Sequence, residues 1–383
     1  MGAAVTFRVD FVGSFLRPPA LKAAFAAYEA GTLDDAGLRA AQDEAVAGLI
    51  GLQAAHGLPL ANDGEYRRRQ FMESIAGVAG FEPWLDAMRG GAARDGRPPE
   101  STQNNDARRP VTQRLQLVLN VVLEEYRFAA ARARMPVKVT LVGADRIMQR
   151  YAYEQSRDIY ATIDEFLADV VRVEQQMLAE LRAAGCGYVQ IDAPGYTAYV
   201  DERSREAMRE RGEDPEANLE RSIEADAAIA SGHDGMTFGI HLCRGNARRA
   251  WHREGGYDAI AERLFNELPH QRFLLEYDDE RSGGFEPLRF VPKGKIVVLG
   301  LISSRTPQME DRDALRARID QAARFIPIEQ LALSPQCGFA SSIAGNPLTA
   351  DDQWRKIDLM LDVAHEVWGA QSAAPIGGHP SGR

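Results

Sequence analysis

Eight short runs rich in β-forming residues, each followed by helical sequence, succeed one another along the chain: Phe7–Val12, Leu58–Asn62, Val137–Val142, Tyr188–Ile191, Thr237–Leu242, Phe273–Tyr277, Ile296–Ile302 and Leu331–Ser334. Regular β–α alternation calls for a parallel sheet covered by helices, and eight such units close that sheet into an α/β fold of the (β/α)8 TIM barrel type. An open, doubly wound sheet is the structural alternative. The helical stretches carry their own punctuation. Thr162–Glu165 reads as a capping box ahead of the apolar positions Phe166, Val170, Val173, Met177 and Leu181, and Gly185 stands where that helix should stop. The stretch from Asp35 to His56 ends likewise at Gly57. Of the 383 residues, 1–370 are expected to form a single barrel domain and 371–383 a disordered tail.

Composition narrows the partners. Hydrophobic residues make up 45% of the chain, enough for a sizeable core, and 55 acidic against 45 basic residues give a net charge of -10. Nucleic-acid binding would call for basic clustering, and a membrane span for about 18 consecutive apolar residues. Neither is present, so no nucleic-acid or membrane partner is expected. The first residues, MGAAVT, fit the loose N-myristoylation pattern, but the sequence that follows at once reads as a core strand. Three cysteines without a secretion signal point to reduced thiols and a cytoplasmic setting. Residues 85–110, rich in Gly, Arg, Asn and Pro, read as a surface insertion, and residues 196–222 as a long charged connection. In a barrel both would lie at the C-terminal ends of the strands, where active sites are built.

Chemistry-bearing residues gather at those same strand ends. In GIHLCRGN, His241 and Cys243 are two residues apart, so a strand directs both to one side. Glu276 closes the sixth run in FLLEYDDE and Cys337 follows the eighth in LSPQCGF. One His, two Cys and one Glu converging on a barrel mouth make a four-donor set suited to zinc. Cys186 precedes the fourth run, at the opposite end, and reads as a small core residue. Gly13 and Ser14 follow the first run, Asp63 and Glu65 the second, Asp192 the fourth, and Ser303, Ser304 and Arg305 the seventh. Each alone reads as a loop cap or solvated charge; their shared position makes them candidate site residues.

The segments VGSFLRP, NDGEYRR, YVQIDAPG, GIHLCRGN, LLEYDDE and LSPQCGF together resemble the catalytic domain of cobalamin-independent methionine synthases, over residues 11–368. Epoxyalkane:coenzyme M transferases share the same short architecture, and uroporphyrinogen decarboxylases share the fold without the metal set. The resemblance implies a zinc ion on His241, Cys243, Glu276 and Cys337, and a thiol such as homocysteine receiving a methyl or other alkyl group. It implies that the backbone near Ser14 and the carboxylates of Glu65 and Asp192 recognise that thiol, with Arg17 or Arg305 as a fork for its anionic end. Asp192 and Arg305 are the expected catalytic residues. Two departures stand out. The family's Asp-Glu-Pro after the fourth strand is Asp192-Ala193-Pro194 here, and its catalytic His in a His-Ser-Pro context aligns with Arg305-Thr306-Pro307. An arginine does not titrate near neutrality and so cannot act as a general acid there. The donor therefore stays open among a folate, a corrinoid protein and an epoxide. The other readings are thiol addition to an epoxide, C–S cleavage, and a zinc-stabilised barrel without turnover.

Overall fold

The computed structural model describes residues 7–89, 107–245 and 252–369. Six of the expected strands form one parallel sheet in sequence order: β1 (Lys138–Val142), β2 (Tyr188–Asp192), β3 (Thr237–Leu242), β4 (Arg272–Glu276), β5 (Ile296–Ile302) and β6 (Leu331–Pro335). The strands are buried almost throughout, as parallel strands under a helical cover must be. The pairing sets Asp192 beside His241, His241 beside Leu274, and Glu276 beside Gly300.

The first two expected strands are reduced to single parallel bridges, one on each edge of this sheet. Val9 bridges Leu333 of β6, with Asp10 N donating to Leu333 O (3.0 Å) and Leu333 N to Arg8 O (2.8 Å). Ala61 bridges Val137, just ahead of β1, through Ala61 N to Pro136 O and Lys138 N to Ala61 O, both 2.8 Å. Two residues explain why the ladders stop short. Pro59 has no N–H to contribute, and Asp10 draws the Phe11 N–H onto its own Oδ1 (2.8 Å). Among the described residues no ladder joins the two segments. One backbone bond, Phe15 N to Gly64 O (3.2 Å), and the Asn62 side chain, Nδ2 donating to Gly13 O at 2.6 Å, span that seam. The architecture is the expected α/β barrel, with six strands in a continuous sheet and two held by bridges.

Side-chain alternation divides the interior into tiers. Along β4 the inward residues are Arg272, Leu274 and Glu276. At the lower tier Asp10 accepts from Lys138 Nζ (2.7 Å), Tyr188 Oη (2.7 Å) and Arg272 Nε (3.0 Å), a buried ionic knot. Above it, Val12, Leu274, Val298 and Ala332 form a small apolar cluster, separate from the large core between strands and helices. Asp192, His241 and Glu276 occupy the upper tier, at the C-terminal ends of the strands.

The long helices form where the sequence places them, Asp35–Ala55 and Ile163–Ala183, and Gly57 (φ 72°) and Gly185 (φ 90°) turn the chain beyond them. Thr162 Oγ1 accepts from Glu165 N (3.1 Å), but the reciprocal half of the expected capping box is missing, because the Glu165 carboxylate accepts from Ala161 N and Arg114. Residues 196–222 are not the open connection expected. They follow a 3-10 turn, Pro194–Tyr199, with helices Glu202–Glu210 and Pro215–Ala230, capped by Asp201 and Asp214. Of the expected insertion, helix Glu82–Arg89 and residues 107–110 are seen; residues 1–6, 90–106 and the expected tail lie outside the described residues. No helix among those described is long and apolar enough to cross a membrane.

Candidate functional site

Strand ends bring three donors together at the upper tier. A nitrogen of His241 and the sulfurs of Cys243 and Cys337 lie within 4.8 Å of one another, all in buried residues. Cys337 reaches this point because the chain after β6 crosses close over two glycines' neighbours. A Cβ on Gly300 would stand 2.7 Å from Gln336 Cα, and one on Gly338 only 1.9 Å from Ser14 Oγ. Phe339 N donates to Ser14 O (2.9 Å), which fixes Ser14 beside the Cys337 segment.

The donor chemistry fits a metal. His241 Nδ1 lies 3.2 Å from Leu274 O, which can only accept, so Nδ1 carries the proton. Nε2 is then left as a bare acceptor, buried and without a hydrogen-bond partner. A hydrogen bond from Cys337 holds the Cys243 thiol well below its ordinary range despite burial, and the same contact, with burial, pushes Cys337 up. Burial opposes a charge on His241, yet Cys243, Asp192 and Glu276 raise its pKa. A borderline-soft cation such as zinc matches one imidazole and two thiolates.

Glu276 stands beside this cluster without joining it. Its Oε1 accepts from Arg281 and its Oε2 from Arg244 N (2.6 Å). Burial, then the Cys243 charge, pushes its carboxyl up to about 8. Glu276, Asp278 and Asp279 form a second knot of acids, in which Arg305 NH2 lies 2.6 Å from both Asp278 Oδ2 and Asp279 Oδ2. Arg305 thus pairs locally.

The two remaining carboxylates, Glu65 and Asp192, are near enough for the Glu65 charge to act on Asp192. Glu65 Oε1 accepts from Thr140 Oγ1 (2.8 Å), while Oε2 is buried with no partner. Asp192 Oδ1 accepts from Gln190 Nε2 (2.7 Å). Burial and the Glu65 charge push the Asp192 carboxyl up to about 7, and burial likewise raises Glu65. Glu65 has φ 58°, the sole non-glycine with positive φ among the described residues, a costly conformation that is found mostly at functional sites. Arg17 helps to enforce it. The expected substrate fork is spent on backbone carbonyls, donating to Glu65 O (2.8 Å), Arg68 O (2.6 Å), Ala340 O (3.0 Å) and Ser342 O (3.2 Å). Sequence reasoning missed Arg281, Arg244, Asp278 and Thr140; the charges of EYDDERS close behind Glu276 were the available signal.

Residues 7–366 match the family described as "Cobalamin-independent synthase, Catalytic domain". The chain belongs to this family. A full-length relative is the Bacillus subtilis (strain 168) "Uncharacterized protein YxjH", 34% identical over 94% of this chain and 95% of that one. The 5-methyltetrahydropteroyltriglutamate–homocysteine methyltransferase of Nitratidesulfovibrio vulgaris is 26% identical over 87% of this chain but only 39% of its own length. Among solved structures, a putative vitamin-B12-independent methionine synthase from Listeria monocytogenes superposes with a TM-score of 0.72 at 24% identity, covering 96% of this chain and 99% of that one. That likeness establishes the shared fold. Within the family's fold, the upper tier described above is the candidate site.

Proposed function

We propose that the protein alkylates a small thiol, homocysteine or a close analogue, at a zinc ion held by His241, Cys243 and Cys337 with Glu276 as fourth donor. The observation that carries this is the convergence of two sulfurs and an unpartnered, buried imidazole nitrogen at the barrel mouth. The homocysteine methyltransferase named above supports the choice of thiol. A bound zinc would keep a substrate sulfur deprotonated near neutrality, where a free thiol of pKa about 8.5 is mostly protonated.

The other residues supply recognition. Arg68 NH1 lies 3.8 Å from Glu65 Oε1, but Glu65 Oε2 accepts no hydrogen bond, so it and the Asp192 carboxylate offer an ammonium group two acceptors. The Ser14 backbone, fixed by the Cys337 segment, lies ready for the substrate's anionic end. Asp192 is also a group able to exchange a proton near pH 7, whereas Arg305 keeps its charge between Asp278 and Asp279 and donates no proton. These groups define the acceptor half of the reaction; a folate, a corrinoid protein and an epoxide are the donors to screen. The reading includes one barrel domain over residues 1–370 and a cytoplasmic setting, which keeps the buried thiols of Cys243 and Cys337 reduced.

Calorimetry on the zinc-loaded protein tests it. Homocysteine should bind at least tenfold more tightly than its desamino analogue, since a lost charge-assisted hydrogen bond costs about 1.5–3 kcal/mol. Asp192→Asn should remove most of that preference. Equal affinities would overturn the amino-thiol assignment in favour of a coenzyme M-like thiol.

A further inference from the structure

Both oxygens of Glu276 are already in use. Arg281 donates to Oε1 and the Arg244 N–H to Oε2. Arg281 is shut from solvent as fully as Glu276 is. Its Nε lies 3.1 Å from each Asp279 oxygen, and Arg305 in turn straps Asp279 to Asp278. An ion pair closed off from water resists opening, because each partner left alone is an uncompensated buried charge. A metal seated among His241, Cys243 and Cys337 gains Glu276 as a donor only by drawing it off Arg281.

We propose that Arg281 competes with the metal for the Glu276 carboxylate, and so sets whether three or four side chains of this chain hold the ion. Arg281 is a positioning residue: it acts through Glu276 and does not itself meet substrate. The inference rests on the zinc–thiol reading of the site and deepens it. Three protein donors leave a position for a substrate sulfur, as catalytic zinc sites do, whereas four close the shell.

Competition against a chelator gives the zinc affinity of each variant. Arg281→Gln should hold zinc roughly tenfold more tightly than the unaltered protein, the scale on which neighbours of ligands act. General damage to the fold would weaken binding instead. The gain should vanish in the Arg281→Gln/Glu276→Gln double variant. Where Arg281→Gln does not fold, Asp279→Asn decides: it keeps the Glu276–Arg281 pair, takes the Asp279 charge away from Arg281 Nε and from Arg305, and should shift affinity the same way by less. Unchanged or weaker zinc binding in the folded variant, or a gain that persists without the Glu276 carboxylate, would overturn the proposal. Homocysteine binding to the unaltered zinc protein is measured separately; its failure would defeat the thiol reading and leave the zinc comparison standing.

Discussion

Asp226 lies outside the site and carries a clear pH signature. Burial, then the charge of neighbouring Asp145, pushes its carboxyl up to about 7 from an ordinary 3.8. Between about pH 4 and pH 7 the folded protein thus keeps a proton that the unfolded chain has lost, so this group's contribution to stability falls as pH rises through that window. Asp226→Asn stays neutral and can still accept from Ala144 N, as Asp226 does at 2.7 Å. Its melting temperature at pH 8 should exceed that of the unaltered protein by the equivalent of about 4 kcal/mol, with no difference below pH 4. A variant less stable at pH 8 would assign the carboxylate a needed charge. The cysteines separate as cleanly. Elemental analysis should find one zinc per chain, lost in Cys243→Ser/Cys337→Ser and kept in Cys186→Ser, whose thiol burial pushes up to about 12. Zinc retained in the double variant would remove the assignment. The two-residue strand period put His241 and Cys243 on one side, and it was the shared strand-end position that added Cys337 to them. The Glu276–Arg281 pair was not legible, since its members stand five positions apart, with Arg281 inside a 3-10 turn, and no periodicity marks them.

At the scale of elements, the close approach between Gly338 and Ser14 is the joint most sensitive to one added carbon. The Cβ of Gly338→Ala would stand 1.9 Å from Ser14 Oγ, so that hydroxyl must leave its rotamer, and 3.2 Å from Ser14 Cβ, so the Ser14 turn must give by a few tenths of an ångström. A loss of about 1–3 kcal/mol in thermal stability is expected, with weaker zinc retention because Cys337 is the preceding residue. A variant that melts normally and holds zinc would show that the segment gives way freely. Strand runs were legible as residue types, and six became a ladder. For the other two, the runs were right but Pro59 and Asp10 undercut the pairing. Residues 196–222 misled because charge was read as loop. Asp201 and Asp214-Pro215 were helix starts in plain sight, and the charges between them cover exposed helix faces.

Taken whole, the proposed single domain should unfold in one cooperative transition, and zinc should raise its midpoint. At a free zinc concentration a thousand times its Kd, the shift corresponds to about 4 kcal/mol. Calorimetry showing two separate transitions would instead divide the chain. The seam between the first two segments has a consequence for selectivity. His241, Cys243, Glu276 and Cys337 all hang from strands of the continuous six-stranded ladder or the turns just beyond it. Ser14 and Glu65 hang from opposite banks of the seam, joined by one backbone bond, Phe15 N to Gly64 O (3.2 Å), and by side chains such as Asn62 and Arg17 rather than by a ladder. The metal donors therefore sit on the strand ladder, and the groups proposed to read the substrate sit on turns held by a few separate contacts. Mutations along the seam can retune which thiol is accepted, in length or in charge spacing, while the chemistry of the metal corner passes unchanged from one specificity to the next.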